Sequence, residues 1–183
     1  MKKNILVTLS ALSISAFGFT LESNSIENGY IKEKYGKHGT QNLNGMPSLS
    51  FPLEWKNAPK NTKSYALVME DFDAIPVTGF SWIHWIAIIP KTTTKLQENA
   101  SLENKEIIQG VNSWISSMGG LNKIDASHFG GPAPPDTDHT YNITIYALDK
   151  EINLQSGFYL NELYTNMDGH ILDKVTLKAK YKK

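Results

Sequence analysis

Three short apolar segments, each too short and too sharply bounded for a helix, decide what this chain can become. They run from Ser64 to Glu70, from Trp82 to Ile89 and from Thr140 to Leu148, and they are rich in aromatic and β-branched residues. Pro90 closes the second, and the third alternates apolar and polar side chains along its length. All three predict strands. Ser48 to Trp55 predicts a further half-buried strand, with Pro52 placing it near an edge or bulge. Towards the C-terminus, Leu160, Leu163, Tyr164 and Met167 recur at helical spacing. Ile171, Leu172, Val175 and Leu177 predict a second short helix or turn, and Lys178 to Lys183 a basic, solvated tail. Ser101 to Pro135 is rich in Gly, Ser and Pro and predicts a long irregular connection of the kind kept for shaping a site. Strands in the middle and helix at the end predict a mainly β fold with a small helical appendage.

The N-terminus adds a second constraint. Met1-Lys2-Lys3, the apolar stretch from Ile5 to Phe19 and the small residues Ala16 and Gly18 predict a secretory signal peptide over residues 1–18. That stretch carries Thr8, Ser10, Ser13 and Ser15 and falls short of the ~20 apolar residues of a membrane span, so no stable membrane insertion is expected after its removal. The product is expected to be exported, as a periplasmic or secreted protein. Residues 19–183 remain, a length that suits a single domain with its own core. The absence of cysteine excludes disulfides, thiol chemistry and a lipidated cysteine.

Charge narrows the partners. The chain has 18 basic and 18 acidic residues, and every basic one is Lys. Loss of Lys2 and Lys3 leaves a net charge of −2 with histidine neutral, which gives no electrostatic reason to expect nucleic acid or an anionic membrane as partner. With no Arg, any anion must be held by Lys, imidazole, hydroxyl or backbone N–H groups.

The residues that can carry chemistry stand at the ends of the predicted strands. Asp71-Phe72-Asp73-Ala74 follows the first, His84 lies inside the second, and Gly131-Pro132-Ala133-Pro134-Pro135 precedes His139-Thr140-Tyr141 at the start of the third. Carboxylates and imidazoles are costly to bury, so their clustering beside apolar runs predicts a polar pocket in an apolar sheet. Asp71 and Asp73 share a face if extended geometry persists past the strand, and His139 and Tyr141 share one by the same parity. Spacing alone reads the aspartates equally well as an exposed acidic turn, and a lone His84 as a core residue. The proline run fixes φ at three positions and removes three N–H donors, which makes a rigid wall. Two imidazoles and two carboxylates in reach of one another can hold an anion, chelate a metal or form an acid/base pair, and spacing does not choose among the three.

These motifs resemble the phosphatidylethanolamine-binding proteins, also called Raf kinase inhibitor-like proteins. The family's Asp-Pro-Asp-Ala-Pro signature and its following Trp/His segment are similar to Asp71-Phe72-Asp73-Ala74 and Trp82-Ile83-His84-Trp85. Its Gly-x-x-x-Tyr-x-Gly-Pro-x-Pro-Pro signature and His-x-Tyr are similar to Asp125 to Pro135 and His139-Thr140-Tyr141. Gln109 to Ser113, Tyr146 to Asp149 and Gly169 to Leu172 resemble its bacterial branch, and the likeness runs from Gly45 to Tyr181.

The resemblance implies a central antiparallel sheet packed against a smaller sheet, with short peripheral and C-terminal helices. It implies a non-enzymatic binding protein without cofactor or metal, whose small pocket accepts a phosphate-like anion or phosphorylated headgroup. By carry-over the pocket is lined by Asp71, Asp73, His84, Pro135, His139 and Tyr141, with Gly131, Pro132 and Pro134 in its wall, and a protonated imidazole donates to the anion. A homodimer is implied as well. Two other readings remain: a metal-dependent hydrolase with Asp71, Asp73, His84 and His139 as ligands, and an inhibitor of an extracytoplasmic peptidase. The chain departs from the signatures at Phe72 and Ile75, which replace prolines, and at Asp125 and Phe129, which replace Gly and Tyr. Phe129 is expected to withdraw one hydroxyl from the ligand.

Overall fold

The computed structural model describes residues 18–183, so the signal peptide expected over residues 1–18 lies outside the described residues except for Gly18. Twelve strands follow in chain order. They are β1 (Thr20–Glu22), β2 (Ile26–Glu27), β3 (Tyr30–Ile31), β4 (Asn42–Leu43), β5 (Met46–Pro47) and β6 (Leu53–Lys56), then β7 (Ser64–Asp71), β8 (Trp82–Pro90), β9 (Lys95–Leu96), β10 (Ile108–Gln109), β11 (His139–Leu148) and β12 (Ile171–Tyr181). Three short helices join them: α1 (Ile75–Thr78), α2 (Ala100–Glu103) and α3 (Leu160–Met167).

The three apolar segments are the heart of the main sheet, whose seven strands run in the order β10-β8-β7-β11-β12-β3-β2. Every pairing is antiparallel except β12 with β3. A second sheet, β1-β6-β9, lies over one face. Between the two sheets Leu67, Met69, Trp85, Ile143 and Ile145 meet Leu53, Trp55 and Leu96 in one buried cluster. The opposite face of β7, β8 and β11 presents Ala66, Val68, Ile86, Ile88 and Leu148 to Leu163 and Met167 of α3. Strands buried on both faces are apolar at consecutive positions, which is why β8 reads as a continuous run. Each fully buried Leu, Ile or Met contributes roughly 1.5–3 kcal/mol relative to exposure.

The C-terminal expectation needs correction. Ile171 to Tyr181 forms an eleven-residue strand where a helix or turn and a solvated tail were expected. It pairs along all of β11, from His139 opposite Tyr181 to Leu148 opposite Ile171. Val175, Leu177, Ala179 and Tyr181 turn to the inter-sheet core while Lys174, Thr176, Lys178 and Lys180 face solvent. The alternating lysines give the segment the look of a charged tail, whereas its apolar residues follow period two. The strand expected from Ser48 to Trp55 is shortened to β6, beginning after Pro52, which has no N–H for a ladder. Among the described residues no helix is long and apolar enough to cross a membrane.

Candidate functional site

The polar residues gather at one end of the inter-sheet layer because β7 ends where β8 and β11 begin. Asp71, the last residue of β7, pairs with Trp82 on one side and Tyr141 on the other. A plain alternating β8 would send His84 to the opposite face from Trp85. Instead the register jumps: Met69 opposes Trp85 and Glu70 opposes Ile83, leaving His84 as the extra residue of a β-bulge. The bulge reverses parity, so Ile83 packs on the α3 side while His84 joins Trp85, Asp71 and Tyr141 on the inter-sheet side.

His139 is held by two carboxylates. Its Nδ1 lies 2.7 Å from Asp71 Oδ2 and its Nε2 2.8 Å from Asp136 Oδ1. Ionised carboxylates only accept, so with both partners ionised both nitrogens donate, the arrangement that favours an imidazolium. Burial alone depresses such a group, but the hydrogen bonds and charges of Asp71 and Asp136 outweigh it and raise the His139 pKa. The same contact lowers that of Asp136. Asp71 also accepts from the N–H of Ala74 at 3.1 Å, which fixes the turn into α1. His84 behaves oppositely. Burial lowers its pKa against weaker raising effects from the Gly130 carbonyl and Asp71, so the ring is neutral. Its Nδ1 donates to the Gly130 carbonyl at 2.6 Å, which leaves Nε2 as an acceptor, and its plane stands edge-on to Tyr141 at 5.0 Å. The Tyr141 hydroxyl is buried without a hydrogen-bond partner, and burial together with the Asp71 charge pushes its pKa up.

The proline run is a braced wall. Gly131 donates to the Pro47 carbonyl at 2.7 Å, and Lys37 reaches the Pro132 carbonyl with its backbone N–H (2.8 Å) and the Pro134 carbonyl with Nζ (2.6 Å). A Cβ on Gly131 would come within 2.4 Å of the Tyr35 carbonyl, so only glycine allows this approach. The only N–H groups of the run belong to Gly131 and Ala133, and that of Ala133 has no partner among the described residues.

A cavity of about 240 Å³ results. Asp71, His84, Pro134, Pro135, His139 and Tyr141 line it, together with Ala133 of the proline run, Trp82 of the Trp/His motif, and Trp114, which the sequence did not single out. The Trp114 indole N–H is buried and unpartnered. Three expected residues do not line it. Gly131 and Pro132 brace the wall from behind. Asp73 is exposed and accepts from the Thr140 N–H at 2.7 Å, because the strand ends at Asp71 and the shared face with it. Neither imidazole presents a free N–H to the cavity, contrary to the expected imidazolium donor: His139 has given both to carboxylates, and His84 has given its own to Gly130. Asp136 escaped sequence reading, although an acid three residues before His139 and directly after the prolines was the available signal. Among the described residues no three His, Asp or Glu side chains are placed to hold a metal ion.

The sequence profile described as "Phosphatidylethanolamine-binding protein" matches residues 22–182. The chain belongs to that family. It is 47% identical to YxkA of Bacillus subtilis over 156 residues, covering 82% of this chain and 93% of that one. It is 32% identical to YbcL of Escherichia coli over 160 residues, covering 82% of this chain and 81% of the other. The crystal structure of the phosphatidylethanolamine-binding protein homolog CT736 from Chlamydia trachomatis superposes with a TM-score of 0.73 at 30% identity, covering 90% and 97% of the two chains. The E. coli YbcL crystal structure shares the fold at a TM-score of 0.72 and 24% identity, over 90% and 98%. Against the family signature, Phe129 has gone inward. It is fully buried between Phe51 and Trp85, edge to face with both, and is not among the residues that line the cavity.

Proposed function

We propose that this chain is an exported, non-enzymatic binding protein whose cavity holds a phosphate-like anion, free or as a phosphorylated headgroup. One observation carries the reading: a cavity without arginine is lined by His139 and by residues whose polar groups have unmet hydrogen bonds. The Tyr141 hydroxyl and the Trp114 indole N–H are buried without partners, and the Ala133 N–H is unpartnered among the described residues. Buried donors left unpaired are uncommon and costly, and a ligand oxygen would satisfy them. The His139 charge offsets one of the two carboxylates that flank it, and the neutral His84 Nε2 accepts from a ligand O–H or N–H. Family membership supports a binding role in general terms.

The test is a titration with inorganic phosphate and with phosphoethanolamine, followed by the imidazole resonances of His84 and His139. Both resonances are expected to shift at millimolar ligand, and immobility of both defeats the reading. Export is tested separately by the N-terminus of the protein recovered outside the cytoplasm, expected near residue 19.

A further inference from the structure

The polar groups of the cavity divide into donors and acceptors. Tyr141 and Trp114 bring an O–H and an N–H that are buried without partners, and Ala133 an N–H with none among the described residues. His84 and Asp71 bring the opposite. His84 is 3% exposed and stands at the bulge of β8, where its Nδ1–H is spent on the Gly130 carbonyl at 2.6 Å. The Gly130 N–H returns to the His84 carbonyl at 2.8 Å, so ring and backbone are tied to one glycine and the fold itself sets the tautomer. Nε2 is left with a lone pair and has no hydrogen-bond partner among the described residues, in a ring that lines the cavity.

Asp71 adds to this acceptor side. One of its oxygens takes the Ala74 N–H and the other His139, and each keeps a further lone pair. With Asp136 on the second nitrogen of His139, two carboxylates stand against one imidazolium. An anion whose oxygens all accept would satisfy Tyr141, Trp114 and Ala133, yet it would bury the Nε2 lone pair unpaired and press an oxyanion towards Asp71. A buried acceptor left without a donor costs roughly 1–3 kcal/mol, and like charges brought together add to that.

We infer that the cavity selects anions that carry an O–H of their own, so that one protonated oxygen of the ligand donates to His84 Nε2 while its other oxygens accept from the donors opposite. The inference rests on the anion-binding reading above and narrows its ligand class. Free phosphate and phosphomonoesters in their singly protonated form qualify. Sulfate, sulfonates and phosphodiesters have no O–H at neutral pH and do not. A site built to receive a hydroxyl rejects an isosteric ligand lacking it far more strongly than a merely well-shaped site would, because the site's own polar group is then left unpaired.

The experiment compares two ions of the same shape and charge that differ in one O–H. They are methylphosphonate, in weakly acidic buffer below its second ionisation, and methanesulfonate, with inorganic phosphate alongside, all titrated calorimetrically into the purified protein. Phosphate and hydrogen methylphosphonate are expected to bind, and methanesulfonate at least about tenfold more weakly. A smaller preference, or none, overturns this inference alone and leaves the anion reading standing. Failure of all three ions to bind overturns the anion reading and this inference with it. Nitrogen-15 resonances of the imidazoles assign the discrimination to His84 without any substitution. Its Nε2 is expected to be unprotonated in the free protein, to shift with methylphosphonate and to stay in place with methanesulfonate. An Nε2 that is protonated in the free protein, or that methylphosphonate leaves unmoved, overturns the role of His84.

Discussion

Both ends of β11 carry an aspartate–histidine pair, and the two differ in their surroundings. At the start of the strand Asp71 and His139 meet at 2.7 Å with side chains 4% and 1% exposed. Just past its end Asp149 and His170 meet at 2.9 Å with side chains 44% and 40% exposed. In water such a pair adds little, because solvent already satisfies both partners. Out of water each partner becomes the condition for the other's burial, and removing one strands a charge. The hydroxyls differ in the same direction. At the far end Ser64 donates to the Lys150 carbonyl, whereas at the cavity end Tyr141 has no partner. One end of the layer is finished by the protein itself, and the other leaves a buried hydroxyl without a partner, where we propose that a ligand binds.

The largest expected effect comes from breaking the buried pair. Asp71→Asn should destabilise the fold by about 3–5 kcal/mol in urea denaturation, and a loss below about 1 kcal/mol would mean that the pair is solvated in solution. Dependence on pH follows from the two histidines, with opposite signs. His139 has a raised folded pKa, so its contribution is fully present below its unfolded value and is lost as pH rises through the folded value. His84 has a lowered one, so stability is held above its unfolded value and lost as pH falls towards the folded value. Asp71, Asp136, His84, Tyr141 and, opposite on β12, Tyr181 are the titratable groups facing His139. In stability profiles from pH 5 to 9, His139→Gln should flatten the alkaline side and His84→Gln the acid side. An exchange of those two effects would mean a neutral His139 beside a charged His84.

The hydroxyls give a smaller and sharper contrast. Ser64→Ala should lose about 1 kcal/mol, because it orphans the Lys150 carbonyl. Tyr141→Phe should be neutral or stabilising by about 1 kcal/mol while weakening phosphoethanolamine binding about fivefold, since it removes an unpaired buried group that the ligand would satisfy. Unchanged affinity in Tyr141→Phe would exclude the hydroxyl as a ligand contact. Smallest of all, Asp149→Asn should stay within about 0.5 kcal/mol of wild type in the same urea assay. A larger loss there would erase the contrast between the two ends.

Much of the fold was legible in the chain, and what was not shares one physical origin. β7, β8, β11 and α3 follow from alternation, apolar runs and helical spacing, which are local properties. The common face of His139 and Tyr141 follows from parity within one strand. The failures all depend on residues far away in sequence. β12 is a strand because β11 offers it a full-length partner, and its lysines disguise the period. His84 faces the cavity only because β7 and β8 slip by one residue at Met69 and Glu70. Asp73 turns out to meet the N–H of Thr140, 67 residues on, and Phe129 turns in because Phe51 and Trp85 receive it.

The sequence by itself determined the three central strands, the proline wall and most of the ionisable residues brought near one another. Tertiary structure decided which of them share a cavity and in what protonation state. Direction along a strand is set by backbone sterics within a few residues. Facing, burial and charge state are set by pairing register and by neighbours that only the folded sheets bring into contact.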